Sequence, residues 1–319
     1  METNNFADDQ LDTAYYQHDN PGYFRITGAD RQDFLQRQTT NDVKFLSPKH
    51  PLVSVLTSST GRILDVLWVI DEGEAIGVLT LPGQGEQTFN FLQSRIFFMD
   101  KVTLEDASRE IHQIYLLGPG TSELIQDLCE VQDPVANEIL TIQINGVPVR
   151  VLVQSELGHR LLIPGEALSQ ILTELEAKGT TPLSQDRYEI LRIEAGLPAA
   201  RHELTEEYTP LETGLQWTVS DNKGCYTGQE VIARQVNYDK VTRQLVGLRM
   251  GEVPQIGDTL YPLDNVQPIG KVTSRAISPR LGPIALAIVK RPFHLPGNEL
   301  LTRHGEQSIK AETTALPFQ

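Results

Sequence analysis

The stretch DNKGCYTGQEVIARQV, residues 221–236, contains one of only two cysteines in a chain of 319 residues. Its TGQE pattern at 227–230 is that of a capping box, with Thr227 as the N-cap and Glu230 three positions later. A run with helical periodicity follows. The sequence therefore predicts that Cys225 lies just before the N-terminus of a helix.

The predicted surroundings of Cys225 favour its thiolate form. A helix N-terminus carries a partial positive charge, and Lys223 adds a full charge two positions away. Gly224 and Gly228 allow tight backbone bends and leave space for a ligand. The alternative is that Cys225 is a small apolar residue in a turn, because free cysteines are usually buried. For Cys129, on the apolar side of a predicted helix, we expect that structural role.

Composition limits the class of protein. A hydrophobic fraction of 39% supports one large domain or two. Two widely separated cysteines give neither a disulfide framework nor paired metal-ligand spacing, and the histidines are scattered. A net charge of −15 disfavours broad nucleic-acid binding and adhesion to anionic membranes. The polar, acidic start is unlike a targeting peptide, and no apolar run is long enough for a membrane span. We therefore expect a cytoplasmic protein in a reducing setting, with no bound metal.

Residues up to about 200 alternate between strand pairs and helices. PLVSVLTSSTGRILDVLWVI, residues 51–70, predicts a hairpin that turns near Thr60-Gly61, and a second hairpin is predicted about Asn145-Gly146. ADRQDFLQRQTTNDV, residues 29–43, predicts a helix with Phe34, Leu35 and Gln38 at helical spacing. No glycine-rich phosphate loop follows a strand. This order predicts an α+β fold and not a parallel doubly wound sheet.

From residue 241 onward, short strand-like runs are separated by Gly and Pro every 8–12 residues, as in RQLVGLRM and PIALAIVKR. Such spacing is typical of a small antiparallel barrel or sandwich. We place a domain boundary near residue 240, with one region at 1–240 and a second at 241–319.

Two acidic residues break local rules. The strand that contains Asp65 is apolar on both faces, so a buried Asp65 would have a raised pKa and could act as an acid, a base or an acceptor. Glu194 stands in the last turn of a predicted helix, where an acid opposes the helix dipole. The alternatives are that Asp65 faces solvent and that Glu194 is a surface residue paired with Arg192 or Arg201.

With these residues in view, the chain resembles a known family. KGCYTGQEVIAR, residues 223–234, is similar to the K-G-C-Y-x-G-Q-E-x-x-x-R signature of YgfZ-type folate-binding proteins, which are relatives of the glycine cleavage T-protein. Three further segments resemble other regions of that superfamily: its N-terminal helix motif, its R-x-E-x-G-x-P region and its C-terminal barrel. They are residues 26–43, 192–217 and 270–291.

The resemblance implies a fold and a ligand. Residues 1–240 would form two α+β subdomains around a central cavity for tetrahydrofolate or a one-carbon derivative, and 241–319 an antiparallel β-barrel. Glu194 matches a glutamate that binds the pterin ring, and a carboxylate can accept hydrogen bonds from two adjacent pterin N–H groups. Lys223 matches a basic position near the folate tail.

The resemblance also assigns roles to the remaining candidates. Cys225 matches the cysteine that YgfZ-type proteins need in maturing or repairing iron–sulfur enzymes, and we take it and Lys223 as catalytic candidates. Further cofactor-binding candidates are Asp65, Tyr226, Gln229 and Arg234. The expected partners are iron–sulfur client or assembly proteins. A single cysteine cannot hold a stable cluster, so we expect no permanently bound one.

Three functional hypotheses follow. The leading one is a tetrahydrofolate-binding accessory factor for iron–sulfur proteins. The second is a folate-dependent aminomethyltransferase or other one-carbon transferase. It is disfavoured because T-protein has two consecutive aspartates where this chain has Asp65 and Val66, and the second aspartate assists transfer. The loop at Asp239 and Lys240 also lacks the glycine that often follows the YgfZ signature. The third is a non-enzymatic binding module that has lost its folate cavity.

Overall fold

A computed structural model describes residues 12–129, 135–154, 157–304 and 307–319. By their internal packing these residues form two compact units. The first unit comprises Leu11–Ser184 and Trp217–Val231, and the second comprises Gln185–Gln216 and Ile232–Gln319. No helix among the described residues is both long and apolar enough to cross a bilayer.

Among the described residues, the first unit contains two mainly antiparallel sheets and four α-helices. The strands are β1 (Ala14–Gln17), β2 (Tyr23–Thr27), β3 (Leu52–Thr57), β4 (Ile63–Asp71), β5 (Ala75–Leu79), β6 (Thr103–Asp106), β7 (Ile111–Leu117), β8 (Ile139–Ile144), β9 (Val147–Leu152), β10 (Gly158–Pro164) and β11 (Thr181–Pro182). The helices are α1 (Arg31–Gln38), α2 (Gly85–Gln93), α3 (Thr121–Cys129) and α4 (Leu168–Ala177).

The two sheets pack against each other, and helices cover their outer faces. One sheet has the order β3-β4-β5-β2-β6 and the other β11-β1-β7-β10-β9-β8, in which only the short β11–β1 pair is parallel. On β4, Leu67 packs in one apolar cluster with Phe34 of α1, and Ile70 packs in another with Leu162 of β10. The prediction that β4 is covered on both faces is confirmed.

The second unit contains a closed antiparallel barrel and a helix that packs against it. The helices are α5 (Gln185–Glu194) and α6 (Gln229–Asn237), of which the last six residues belong to this unit. The strands are β12 (Arg243–Met250), β13 (Thr259–Pro262), β14 (Gly270–Ser278), β15 (Gly282–Lys290), β16 (Glu299–His304) and β17 (Gln307–Thr314). They close in the order β12-β15-β14-β13-β16-β17. The predicted α+β fold with a C-terminal antiparallel barrel is confirmed.

A buried ion network joins α5 to the barrel. Arg192 lies 3.4 Å from Glu203, and both side chains are buried. Ser274 Oγ donates to Glu203 Oε1 at 2.6 Å and lies 2.8 Å from Arg192 Nη2, which donates to it. The register of β14 on β15 shifts between Val272 and Ser274, so a β-bulge sets the position of this serine. Arg192 is therefore a structural residue that fixes α5 to β14.

Candidate functional site

Residues 218–228, which we call the Cys225 loop, belong to the first unit and are bonded to the segment that follows α1. Ser220 N donates to Thr40 O at 3.1 Å. Thr40 Oγ1 in turn donates to Thr218 O at 2.7 Å. The N-terminal end of the loop is therefore held by both the backbone and the side chain of one threonine.

The C-terminal end of the Cys225 loop is bonded to α1 and β3. Thr227 N donates to Arg37 O at 3.3 Å, and Thr57 Oγ1 donates to Thr227 O at 2.6 Å. Gly228 has a φ of +83°, and a Cβ at this position would lie 2.5 Å from Ser58 O in the β3–β4 turn. Only glycine allows this close approach, so the loop is tightly packed where it leaves β3.

The predicted capping box at the end of this loop is wrong. Helix α6 begins at Gln229, so Gly228, not Thr227, is the residue before its first turn. Gln229 N donates to Tyr226 O at 3.2 Å, which continues the turn that the left-handed Gly228 makes. Cys225 thus lies four positions before the first helical residue, farther from the positive end of the helix than the sequence predicted.

Helix α1 is shorter than predicted, and its end creates two acceptors. It stops at Gln38, and Thr39 is extended, with φ −125° and ψ 163°. Thr39 pairs with Leu56 in an isolated antiparallel bridge. The β-branched pair Thr39-Thr40 favours extended backbone, so tertiary pairing overrides the helical pattern that continued to Val43. The carbonyl groups of this segment are then free to accept bonds from elsewhere.

Lys223 occupies those acceptors. Its Nζ donates to Thr39 O and to Asn41 O, each at 2.6 Å, and lies 5.1 Å from the centre of the Tyr226 ring. Burial lowers the pKa of Lys223 to about 8, and the Asp42 carboxylate opposes part of that shift. These contacts make Lys223 an anchor of the loop. Its contact with a folate tail stays a prediction.

Cys225 is exposed in the loop that these bonds hold. The alternative that it is a buried apolar residue in a turn is therefore wrong. The side chain of the second cysteine, Cys129, lies outside the described residues. An exposed thiol between two bonded ends is held in position and open to a reaction partner.

The other residues of the signature differ in their burial. Tyr226 is buried, and burial together with the nearby Asp221 carboxylate raises the pKa of its hydroxyl to about 12. Gln229 is half-buried, whereas Arg234 is exposed on the part of α6 that belongs to the second unit. The structure thus places Tyr226 beside the Lys223 anchor in the first unit. The ligand contacts predicted for Tyr226, Gln229 and Arg234 stay predictions.

Asp65 is fully buried in β4, so the alternative that it faces solvent is wrong. Its Oδ1 accepts bonds from Val66 N at 2.8 Å and Leu81 N at 3.0 Å, and its Oδ2 accepts from Thr88 Oγ1 at 2.5 Å. Burial raises the pKa of Asp65 to about 7, and the three hydrogen bonds oppose the shift. In this arrangement Asp65 ties β4 to the chain after β5 and to α2. Its binding of a cofactor stays a prediction.

Two buried glutamines of α1 differ in their hydrogen bonds. Gln36 is fully used, since its Nε2 donates to Asp42 Oδ1 at 2.9 Å and its Oε1 accepts from Val43 N at 2.7 Å. Gln38 is buried to the same degree, but its Oε1 has no hydrogen-bond partner among the described residues. The sequence placed Gln38 at helical spacing with Phe34 and Leu35, and it gave no sign of this unsatisfied acceptor.

Glu194 ends α5 in the second unit and remains partly accessible, with 17% of its side chain exposed. Its Oε1 accepts a short hydrogen bond from Ser278 Oγ, and Arg280 Nη2 lies 4.0 Å from its Oε2. The contacts found for this carboxylate are therefore with the β14–β15 turn and not with Arg192. One carboxylate oxygen is held in place, while the other lies beyond hydrogen-bond distance of the arginine.

The described residues contain no group of three or more His, Cys, Asp and Glu side chains arranged to hold a metal ion. The candidate chemistry of the first unit centres on Cys225 and the residues that anchor its loop. That of the second unit centres on Glu194.

Comparison with known families gives two matches that together span most of the chain. Residues 14–223 match the GCVT N-terminal domain, and residues 243–319 match the glycine cleavage T-protein C-terminal barrel domain.

Individual relatives and a solved structure agree with these matches. A chloroplastic protein of Arabidopsis thaliana, provisionally named a transferase, is 30% identical over 308 residues, covering 93% of this chain and 70% of the relative. An aminomethyltransferase of Prosthecochloris aestuarii is 30% identical over 315 residues, covering 93% and 85%. The glycine cleavage system aminomethyltransferase T of Bartonella henselae has the same fold, with a TM-score of 0.84 at 20% identity and coverage of 97% and 87%.

Proposed function

Because the chain belongs to the glycine cleavage T-protein family, we propose that it binds tetrahydrofolate and is an accessory factor for the assembly or repair of iron–sulfur proteins, as a member of the YgfZ-type branch. Its partners in this proposal are iron–sulfur clients or assembly proteins in a reducing cytoplasm.

The observation that carries the proposal is the exposed Cys225 in a loop bonded at both ends. Free cysteines are mostly buried, and an exposed one is open to modification. A thiol kept at the surface of an anchored loop suits a transient bond to sulfur, to iron or to a partner thiol. The proposal leaves open which of these bonds forms.

The position after Asp65 argues against glycine cleavage chemistry. The resemblance requires a carboxylate there to assist aminomethyl transfer, and this chain has Val66, which is buried in β4. A valine side chain can neither orient nor protonate an amine. Asp65 itself accepts three hydrogen bonds, and all three come from neighbouring protein groups.

The residues present fit a reduced folate. Glu194 offers a partly accessible carboxylate with one oxygen beyond hydrogen-bond distance of Arg280, which suits the paired N–H donors of a pterin. Tetrahydrofolate supplies, when bound, a carrier for a one-carbon unit.

Calorimetry with tetrahydrofolate under anaerobic conditions tests the ligand. We expect saturable heat with the full chain and at least tenfold weaker binding with Glu194→Gln, because the amide removes the charge that strengthens the N–H bonds. The Glu166→Gln variant, exposed in the first unit, is the control. Absence of heat at millimolar ligand would instead indicate a binding module without a folate site.

A deletion strain tests the role of the thiol. We expect that the Cys225→Ser variant fails to restore iron–sulfur enzyme activities that the natural gene restores, while Cys129→Ser restores them. Equal rescue by both variants would contradict a working thiol at Cys225.

The aminomethyltransferase activity is the second candidate, because a 30% identical relative carries that name. Methylene transfer from a purified aminomethyl carrier protein distinguishes it. Turnover that persists in Cys225→Ser would favour this candidate over the accessory role.

A further inference from the structure

Three consecutive apolar side chains are exposed in the turn that follows α2. Phe97, Phe98 and Met99 are 63%, 96% and 75% exposed. Single exposed apolar residues are ordinary on a protein surface, but a contiguous group is not. At about 200 Å² for each fully exposed residue, the three present roughly 450 Å², a size at which apolar patches are often binding surfaces.

Hydrogen bonds fix this turn in the conformation that exposes its side chains. Asp100 N donates to Phe97 O at 2.9 Å, and Phe97 N donates to Asp100 Oδ2 at 3.0 Å. The other oxygen of the same carboxylate accepts from Arg37 Nη2 of α1 at 2.9 Å. A turn that is already ordered loses little conformational entropy when a partner binds to it.

The turn lies close to the Cys225 loop, because Arg37 is bonded to both. Its side chain binds Asp100, and its carbonyl oxygen accepts from Thr227 N at 3.3 Å, two positions after Cys225. A standard protein interface covers about 800 Å² on each partner. One partner of ordinary size can therefore contact the apolar turn and the exposed thiol together.

The charge around the turn differs from that of the whole chain. Residues 29–50 and 95–101, which comprise α1, the segment after it and the turn, contain six Lys or Arg and four Asp, whereas the chain has a net charge of −15. Arg95 and Lys101, on the two sides of the apolar residues, are both exposed. Complementary charge steers association and fixes the orientation of a complex. An apolar centre with a basic rim therefore suits a partner whose contact face is acidic.

Other occupants fit this surface less well. In a two-fold dimer the basic rim would meet the same rim of a second copy. A bilayer would contact the apolar turn and offer no reaction partner to the neighbouring thiol. A protein with an acidic face satisfies the turn, its rim and Cys225.

We propose that the Phe97–Met99 turn is the docking surface for an iron–sulfur protein with an acidic contact face, and that docking brings this partner to Cys225. The inference rests on the proposed function and gives the partner a contact surface on the first unit.

Photo-crosslinking in cells tests the docking surface. p-Benzoylphenylalanine is placed at position 98 in the turn, at 224 beside the thiol, or at 266 in the second unit, where Val266 is 76% exposed. A side chain is accommodated at Gly224, because an added Cβ meets none of the described residues within 4 Å. We expect the same iron–sulfur protein, identified by mass spectrometry, to be crosslinked from positions 98 and 224 and not from 266.

Two variants of the chain labelled at 224 separate the apolar from the charged contribution. Phe98→Ser and Lys101→Glu should each lower the crosslink yield by about fivefold or more. Because both side chains are exposed, the thermal midpoint and the alkylation rate at Cys225 should stay at the natural values. Val266→Ser and Lys178→Glu are the matched controls and should leave the crosslink yield unchanged.

Several outcomes would overturn the inference. Crosslinks from position 98 to a second copy or to phospholipid would show a different occupant, and equal crosslinks from 98 and 266 would show non-specific contact. An iron–sulfur protein crosslinked from 224 but not from 98, or with an unchanged yield in Phe98→Ser, would show that the turn is not used.

Failure of the proposed function gives a different result. In that case no iron–sulfur protein is crosslinked from 224, and Cys225→Ser restores the enzyme activities of the deletion strain. The present inference then fails as well, but the rescue by Cys225→Ser distinguishes this failure from those confined to the turn.

Discussion

Strand β4 around Asp65 and the Cys225 loop are both places in the first unit where one reactive side chain stands out. Asp65 is fully buried, and three neighbouring protein groups donate hydrogen bonds to its carboxylate. Cys225 is exposed, and the bonds that fix its loop belong to its neighbours Ser220, Lys223 and Thr227. Asp65 itself forms the hydrogen bonds that stabilise its region, whereas the Cys225 loop is stabilised by residues other than Cys225.

The difference distinguishes a residue that stabilises the fold from a residue that is available for a reaction. Removing a buried carboxylate that accepts three hydrogen bonds strongly lowers the free energy of unfolding, because each donor is left without a partner. Replacing an exposed thiol that forms none of the loop's anchoring bonds should change the free energy of unfolding little. The following measurements test this contrast at decreasing size of effect.

The largest effect is expected for Asp65→Ala. Removing the carboxyl group leaves three buried donors unsatisfied, so the free energy of unfolding at pH 4, where the Asp65 contribution is still largely present, should fall by about 4 kcal/mol. Urea unfolding followed by circular dichroism measures it. Asp33→Ala, at an exposed position of α1, should change stability by less than about 0.5 kcal/mol. Equal stability of the two variants would contradict a structural role of Asp65.

The second effect, of similar size, is expected in the pH dependence of stability. The pKa of Asp65 is about 7 in the folded protein against 3.8 for an ordinary aspartate, so between these values the folded state holds a proton that the unfolded state releases. The contribution of Asp65 is therefore fully present below pH 3.8 and is lost as the pH rises through 7, by on the order of 4 kcal/mol in all. Urea midpoints from pH 4 to 8 should show this loss relative to Asp65→Asn. Parallel pH profiles of the two proteins would contradict the raised pKa of Asp65.

A smaller effect is expected for Lys223→Met. The variant keeps the apolar stem but removes the donor to Thr39 O and Asn41 O, which should cost about 2 kcal/mol of unfolding free energy. Hydrogen exchange should also rise in the Cys225 loop. Lys178→Met, at an exposed position after α4, is the control and should leave both measurements unchanged. Unchanged exchange in the loop of Lys223→Met would show that Lys223 is not its anchor.

The smallest effect on stability is expected for Cys225→Ser, at less than about 0.5 kcal/mol. The same variant should lose rapid native-state labelling by iodoacetamide, because the exposed thiol is the site of reaction. Mass spectrometry locates the label, and Cys129→Ser should still be labelled. If the folded natural protein resists labelling at Cys225, the contrast between the two regions collapses.

The sequence predicted the fold well where local patterns are strong. Both hairpin turns, the two apolar faces of β4 and five of the barrel strands follow from periodicity and from Gly, Asn and Pro positions. Strand β17, QSIKAETT, was missed because its exposed positions are polar and its apolar content is low. Pairing with β12 and β16 makes it a strand, and that information is non-local.

For the candidate site, the sequence predicted which residues take part better than it predicted what their side chains contact. The sequence identified Cys225 and the tight backbone at Gly228. It also predicted that Lys223 contacts the ligand and favours the thiolate of Cys225. The structure instead directs that ammonium group to carbonyl groups about 180 positions earlier in the chain. The acceptors exist only because α1 ends at Gln38, which depends on the pairing of Thr39 with Leu56. Such contacts between distant segments leave no local pattern to detect.

The order in which the first unit is assembled along the chain has a consequence for biosynthesis. Residues 217–231 return to this unit after 185–216 have entered the other one. A nascent chain that has emerged only to residue 184 therefore carries every strand of the first unit and still lacks the lysine that lies 184 positions beyond Thr39. On the ribosome, the carbonyl groups after α1 must stay hydrated until that lysine arrives, so the thiol and the bonds that position it are completed in the same late event.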